Sequence, residues 1–135
     1  MFFGLDSDTD AATLGRAVLE GVAFAFADGQ QVLLDAGAQI DDVTVIGGGA
    51  KSSLWGEILA SVLNRPLIYR EGSEVGPAFG AARLARVATE QCPAQQVCVK
   101  GKVTQTIEPN PVMQDFYAQQ YTTYKALYQS VKTYF

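Results

Sequence analysis

The chain contains no histidine. That absence removes imidazole–metal sites and every mechanism that needs a His base, and it leaves acid–base chemistry to carboxylates, Lys and Tyr. Cysteine is nearly as scarce. Cys92 and Cys98 stand six residues apart in a polar stretch, with no second pair and no His to complete a zinc site or a disulfide scaffold. They are expected to be two reduced thiols. A dominant charge is also lacking: ten Lys and Arg against fourteen Asp and Glu give a net charge of −4, and the basic residues do not cluster. Nothing counters a phosphate backbone, so a nucleic-acid partner is not expected. No uninterrupted apolar run approaches the roughly 18 residues that span a bilayer, and Met1-Phe2-Phe3-Gly4-Leu5-Asp6 has no basic segment leading into a long apolar one. The expectation is a cytoplasmic protein with no membrane partner.

What is present is enough for a core. With 135 residues, 48 % hydrophobic and 18 % charged, the chain is too apolar for intrinsic disorder and has the length of one domain. Asp6 to Asp10 offers capping side chains, and Leu14, Ala17, Val18, Val22, Ala25, Phe26 and Leu33 follow near the helical period, predicting a helix from Asp10 to Ala36 that Gly37 ends. Gly15, Gly21 and Gly29 each cost that helix about 1 kcal/mol, which points to close packing of another element there. Val43 to Ile46 reads as a buried strand, Ser52-Ser53 caps a helix carrying Leu54 to Leu63, and Leu67 to Tyr69 reads as a second strand. A further helix spans Gly76-Pro77 to Ala88, and its small residues Ala78, Gly80, Ala81 and Ala82 suit close approach of a neighbouring backbone. Periodicity fades from Thr89 to Pro111, with one short strand expected near Val97 to Val103. Met113, Tyr117, Tyr121, Tyr124, Tyr128, Val131 and Phe135 then mark the apolar face of a last helix. The fold class is therefore α/β, with short parallel strands and flanking helices.

The informative constellation is Val43 to Trp55, a strand followed by Gly47-Gly48-Gly49-Ala50-Lys51-Ser52-Ser53 and a helix. Glycines after a strand let the backbone turn sharply and admit a ligand with no Cβ in the way, while the N–H groups of the next helix face an anion. Such a loop suits a phosphate or a ribose; a tight turn without a ligand is the plain alternative. A P-loop ending at Lys51-Ser52 would need glycines where Val45 and Ala50 stand. A dinucleotide fingerprint fits Gly47 and Gly49 but meets Ser52 at its third glycine, with Glu71 near the distance required for a ribose hydroxyl. A small nucleotide- or dinucleotide-binding module thus remains open.

Leu14 to Phe24, Ile46 to Trp55 and Glu74 to Ala82, in that order, resemble the FGGY family of carbohydrate kinases. The resemblance implies part of an actin-like, ribonuclease H-like ATPase lobe. It makes residues 1–135 a C-terminal fragment of the second, nucleotide-binding lobe, with 89–111 an irregular connector and 112–135 a C-terminal helix. It further implies that Gly48, Gly49 and Ala50 back the ribose and α-phosphate of ATP, that Gly47 belongs to the same nucleotide-binding loop, and that Ser53 stands near the adenine. The implied activity is transfer of the γ-phosphoryl group of ATP, with Mg²⁺, to D-xylulose, giving D-xylulose 5-phosphate; ribulose, glycerol and gluconate are alternative acceptors. The family's catalytic aspartate and sugar site precede this region, so the chain itself is expected to be inactive and Mg²⁺ to be bound mainly elsewhere. The resemblance places Ala78 to Ala82 on a hinge helix between lobes.

Other candidates have plainer roles. Asp6, Asp8 and Asp10 suit helix capping better than a cation site. Glu20 and Asp28 suit a solvated helix face, Lys51 either a phosphate contact or a surface position, and Trp55 a core anchor more than an adenine stack. The tyrosine face suits a helix laid on the domain. A short parallel strand pair leaves an unpaired edge and an exposed apolar helix face, so a homo-oligomer is expected, with the last helix or a strand edge at its interface.

Overall fold

In the computed structural model, which describes residues 1–134, the first regular element is helix α1, Ala11–Asp35. Asp10 caps it: its Oδ1 accepts from the Thr13 backbone N–H and from the Thr13 hydroxyl, each at 2.7 Å. These bonds favour the ionised form and hold its carboxyl below the usual range. At the other end Gly37, at φ +84°, lets its own N–H reach the Leu34 carbonyl and that of Ala38 reach Leu33, a Schellman closure. The close packing expected at Gly15, Gly21 and Gly29 is absent among the described residues, for an added Cβ at any of them meets nothing within 4 Å. By length and composition α1 would also suffice to cross a membrane. It carries Arg16, Glu20 and Asp28, however, and all three are engaged by side chains within the fold.

Strands β1, Val43–Thr44, β2, Leu67–Arg70, and β3, Val103–Ile107, form one sheet in the order β1-β2-β3. β1 and β2 are parallel, as their joining helix requires, and β3 runs antiparallel to β2. The first strand is shorter than Val43 to Ile46 because the ladder ends where the Val45 N–H donates to the Ile68 carbonyl at 3.1 Å and the glycines turn the chain away. In the stretch expected to be irregular, the strand lies at 103–107 rather than 97–103. Helix α4, Ala94–Val97, occupies the earlier part. The later position brings Ile107 opposite Leu67, where it packs on the core.

Helix α2, Ser53–Leu63, lies between the sheet and α1. Its Ile58, Leu59, Ala60 and Leu63 form the buried cluster together with Ala23 and Ala27 of α1 and Leu67 and Tyr69 of β2. Gly56 makes this possible, since a Cβ there would lie 2.6 Å from Ile107 Cδ1 and would collide with the Tyr69 hydroxyl. Among the described residues that hydroxyl is buried without a partner, and burial pushes its pKa up.

Helix α3, Pro77–Glu90, packs against α4, and none of its residues is buried. The small residues Ala78, Gly80, Ala81 and Ala82 are exposed, with open space beside Gly80, so no backbone of this chain approaches them. Helix α5, Gln114–Val131, lies on α1 and α2. Phe24 is ringed by Tyr117, Tyr121 and Tyr124, with centroids 6.3, 6.0 and 5.6 Å away. Glu20 and Asp28 are not merely solvated: Tyr117 donates to Glu20 and accepts from Arg16, while Tyr121 donates to Asp28. Tyr128 is left exposed, and Phe135 of the expected face lies outside the described residues.

Candidate functional site

The glycine loop follows directly from the end of β1. Gly47 stands at φ +88° and ψ −170°, a conformation open essentially to glycine alone. Its carbonyl accepts from the Ala50 N–H at 3.1 Å and that of Gly49 accepts from Ser52 at 3.1 Å, winding Gly48–Lys51 into one 3-10 turn. The amides of Gly48 and Gly49, first in the turn, have no acceptor inside it. Both residues are exposed. Ser52 closes the segment as the cap of α2, its Oγ accepting from the Trp55 N–H at 3.2 Å.

Three supports fix the turn. The Gly47 N–H donates to the Ser73 carbonyl at 2.8 Å, which ties the loop to the connection between β2 and α3. Ser73 is buried, and its Oγ accepts from the Arg70 N–H at 3.0 Å, so the tie rests on the end of β2. Gly76, at φ +61°, lies beside Gly47, where a Cβ on it would be in ordinary van der Waals contact with the Gly47 Cα at 3.6 Å. Beneath Gly49 lies the edge of Trp55: a Cβ on that glycine would stand 3.2 Å from both Cδ1 and Nε1 of the indole. Trp55 is half-buried and packs on the core.

The structure thus brings Gly47, Gly48, Gly49 and Ala50 together with Ser53, the first residue of α2. Among the described residues the Ser53 hydroxyl has no protein partner, and its side chain is exposed. Lys51 is exposed at the end of the turn. Glu71 is elsewhere: its N–H donates to the Lys102 carbonyl at 2.9 Å, and its side lines a cavity of about 270 Å³ with Arg70, Phe79, Arg83 and Lys100 that includes no residue of 47–53. That cavity is also lined by Ser73 and Gly76, which support the loop from the other side. Asp10 caps α1, and Asp6 accepts from the Asp8 N–H and the Thr9 hydroxyl. Among the described residues no group of three His, Cys, Asp or Glu side chains is placed to hold a metal ion.

Sequence reasoning missed Ser73 and Gly76. Gly72-Ser73 reads as an ordinary connecting loop, and only the pairing of β1 with β2 reveals that it returns to the first glycine. The loop itself can do limited chemistry. From 47 to 53 the polar side chains are Lys51, Ser52 and Ser53, with no carboxylate and no activated nucleophile. Amides, hydroxyls and one ammonium can hold a polar or anionic ligand without transforming it.

Residues 1–89 match the C-terminal domain of the FGGY family of carbohydrate kinases. A xylulose kinase of Escherichia coli K12 is 50 % identical over 88 residues, 65 % of this chain and 18 % of that protein. A xylulose kinase of Staphylococcus epidermidis is 35 % identical over 133 residues, 97 % of this chain and 27 % of that protein. Among solved structures, a xyloylose kinase from Brucella ovis superposes with TM-score 0.85 at 37 % identity, covering 98 % of this chain and 27 % of that one. A xylulose kinase from Rhodospirillum rubrum gives 0.79 at 31 %, covering 99 % and 28 %. The chain therefore spans between 18 and 28 % of the length of these relatives.

Proposed function

Because the chain belongs to the FGGY family of carbohydrate kinases, we propose that its glycine loop is the adenosine side of an ATP site in a xylulose-phosphorylating enzyme. The small mixed sheet with its flanking helices is part of the actin-like ATPase fold. One observation carries the nucleotide reading: an exposed 3-10 turn, Gly48–Lys51, is pinned at Gly47 to Ser73 and leaves two glycine amides without acceptors among the described residues. In the proposal Gly47 to Ala50 back the ribose and α-phosphate, and the free Ser53 hydroxyl faces the base.

The proposed reaction moves the γ-phosphoryl group of ATP to a primary hydroxyl of D-xylulose, the sugar after which the relatives are named. Catalysis of this kind rests on positioning and charge neutralisation, and this chain's share is to bind and orient the nucleotide. Mg²⁺ belongs to the proposal as an ion carried mainly by the nucleotide phosphates, which bind it through oxygens. A cytoplasmic location and self-association of the chain complete the reading.

Adding ADP to the ¹⁵N-labelled chain tests it. The amides of Gly47 to Ser53 are expected to shift, with a dissociation constant in the millimolar range, about −4 kcal/mol. Larger shifts with NAD, extending to Glu71 at lower concentration, would favour a dinucleotide module. No shift with either ligand would leave the loop as a structural turn.

A further inference from the structure

The position of the loop is decided less by the glycines than by what they rest on. Trp55 is the single tryptophan of the chain, three residues into α2, and its backbone N–H is already held by the Ser52 cap. That bond fixes where α2 begins. The indole then reaches back under the turn, with Cδ1 and Nε1 both 3.2 Å from where a Gly49 Cβ would be. The ring also packs against the buried core cluster. An aromatic ring lying between the core and the turn couples the rigidity of one to the other, because little space is left on the Cβ side of Gly49 for the turn to sink into.

We infer that Trp55 is a positioning residue of the nucleotide site, whose indole edge holds Gly49, and with it the free amides of Gly48 and Gly49, at the height at which a nucleotide phosphate or ribose meets them. This rests on the reading of the loop as the adenosine side of an ATP site. The inference also explains residue choice at 49. A Cβ there would press on the indole, which would have to give by a few tenths of an ångström, so Trp55 favours glycine at 49 alongside any ligand. Phenylalanine at 55 would preserve an aromatic anchor for the core but withdraw the pyrrole edge that touches the turn.

The experiment compares the parent chain, Trp55→Phe and Val62→Ala, the last being a core change on α2 remote from Gly49. Amide hydrogen exchange is followed at Ala50 and Ser52, whose N–H groups close the turn on Gly47 and Gly49. ADP affinity is read from amide shifts, and 5-fluorotryptophan in the parent gives a ¹⁹F signal from Trp55 alone. Trp55→Phe is expected to speed exchange at Ala50 and Ser52 and to raise the ADP dissociation constant at least threefold. Val62→Ala is expected to lower global stability without either effect, and the ¹⁹F signal to move with the same ADP dependence as the Gly48 amide. Parent affinity retained within threefold in Trp55→Phe overturns the inference alone. A parent chain that does not respond to ADP overturns the nucleotide reading, and with it the role assigned to Trp55.

Discussion

Tyr121 donates its hydroxyl to Asp28 Oδ1 across 2.6 Å, joining α5 to α1 over 93 positions of sequence. One helical turn away Tyr117 makes the equivalent bond to Glu20, so the tyrosines at 117 and 121 meet acids placed on either side of Phe24. Burial first, and the hydrogen bond to Asp28 next, push the Tyr121 hydroxyl from 10.0 up to about 12. The folded chain therefore holds the neutral phenol. The stabilisation is complete below pH 10 and is lost as pH rises from there through 12. Tyr121→Phe is expected to lower stability at pH 7 by about 1 kcal/mol in urea denaturation. It should also shrink the stability loss between pH 10 and 12, leaving the part due to Tyr69 and Tyr117, whose hydroxyls burial shifts the same way.

Glycines in this chain divide by what surrounds them. Gly56→Ala drives a methyl into Tyr69 and Ile107 and should cost roughly 1–3 kcal/mol. Gly29→Ala, mid-helix with nothing within 4 Å, should stabilise by up to about 1 kcal/mol. Chemical denaturation of the two variants beside the parent checks both signs. A stabilised Gly56→Ala would contradict the packing of α2 on the sheet.

The legible parts of the fold were those governed by local chemistry. Asp10, Gly37 and Ser52 act at helix ends through bonds to residues within a few positions, so their types and places announced α1 and α2. The glycine loop was visible for the same reason. β3 was not, because four of its five residues are exposed and the alternation that marks a half-buried strand is missing. Its register is set by Ile107 opposite Leu67 and by the approach of Gly101 to the Glu71 carbonyl, both long-range relations. The β-branched run Val103 to Ile107 was the one local signal available. Likewise, Glu20 and Asp28 looked solvated because their tyrosine partners are nearly a hundred residues away. At the site, the support of Gly47 by Ser73 and of Gly49 by Trp55 depends on strand pairing and core packing, which spacing alone does not express.

Gly47→Ala should separate the loop's conformation from its chemistry. The backbone at φ +88° and ψ −170° strains any side chain, at a cost of about 1–3 kcal/mol, and relief of that strain would pull the N–H away from Ser73. The expected outcome is a folded chain with a lost ADP response at Gly48 and Gly49. Undiminished amide shifts on adding ADP would show that the Gly47 conformation does not shape the site.

With ATP, Mg²⁺ and D-xylulose in a coupled assay, this chain is expected to remain at background. A sugar hydroxyl must be deprotonated by a base within hydrogen-bond reach, and residues 47–53 contain no carboxylate and the chain no histidine. Turnover that scales with chain concentration and persists in Gly48→Val would mean that catalysis proceeds here without the glycine loop.

Self-association follows from the surface left over once α5 has docked. Phe24 and Tyr117 cover one side of α1, but Val18, Val22 and Phe26 on the same helix remain 53, 46 and 57 % exposed. Beside them Phe2, Phe3 and Leu5 help line an open groove of about 750 Å³ between the N-terminal segment, α1 and α5. Contiguous apolar surface of this kind is drawn out of water by any matching face, and a second copy of the chain presents the same one. Because α5 already packs within its own chain, exchange of that helix is not needed; the face of α1 suffices. Light scattering coupled to size exclusion at micromolar concentration is expected to give a mass above 14.5 kDa for the parent chain. Val18→Glu with Phe26→Glu should return it to the monomer, since two carboxylates in such an interface would have to be desolvated without partners. A parent chain that elutes as a monomer with sharp, dispersed amide signals would show that this face is stable in water.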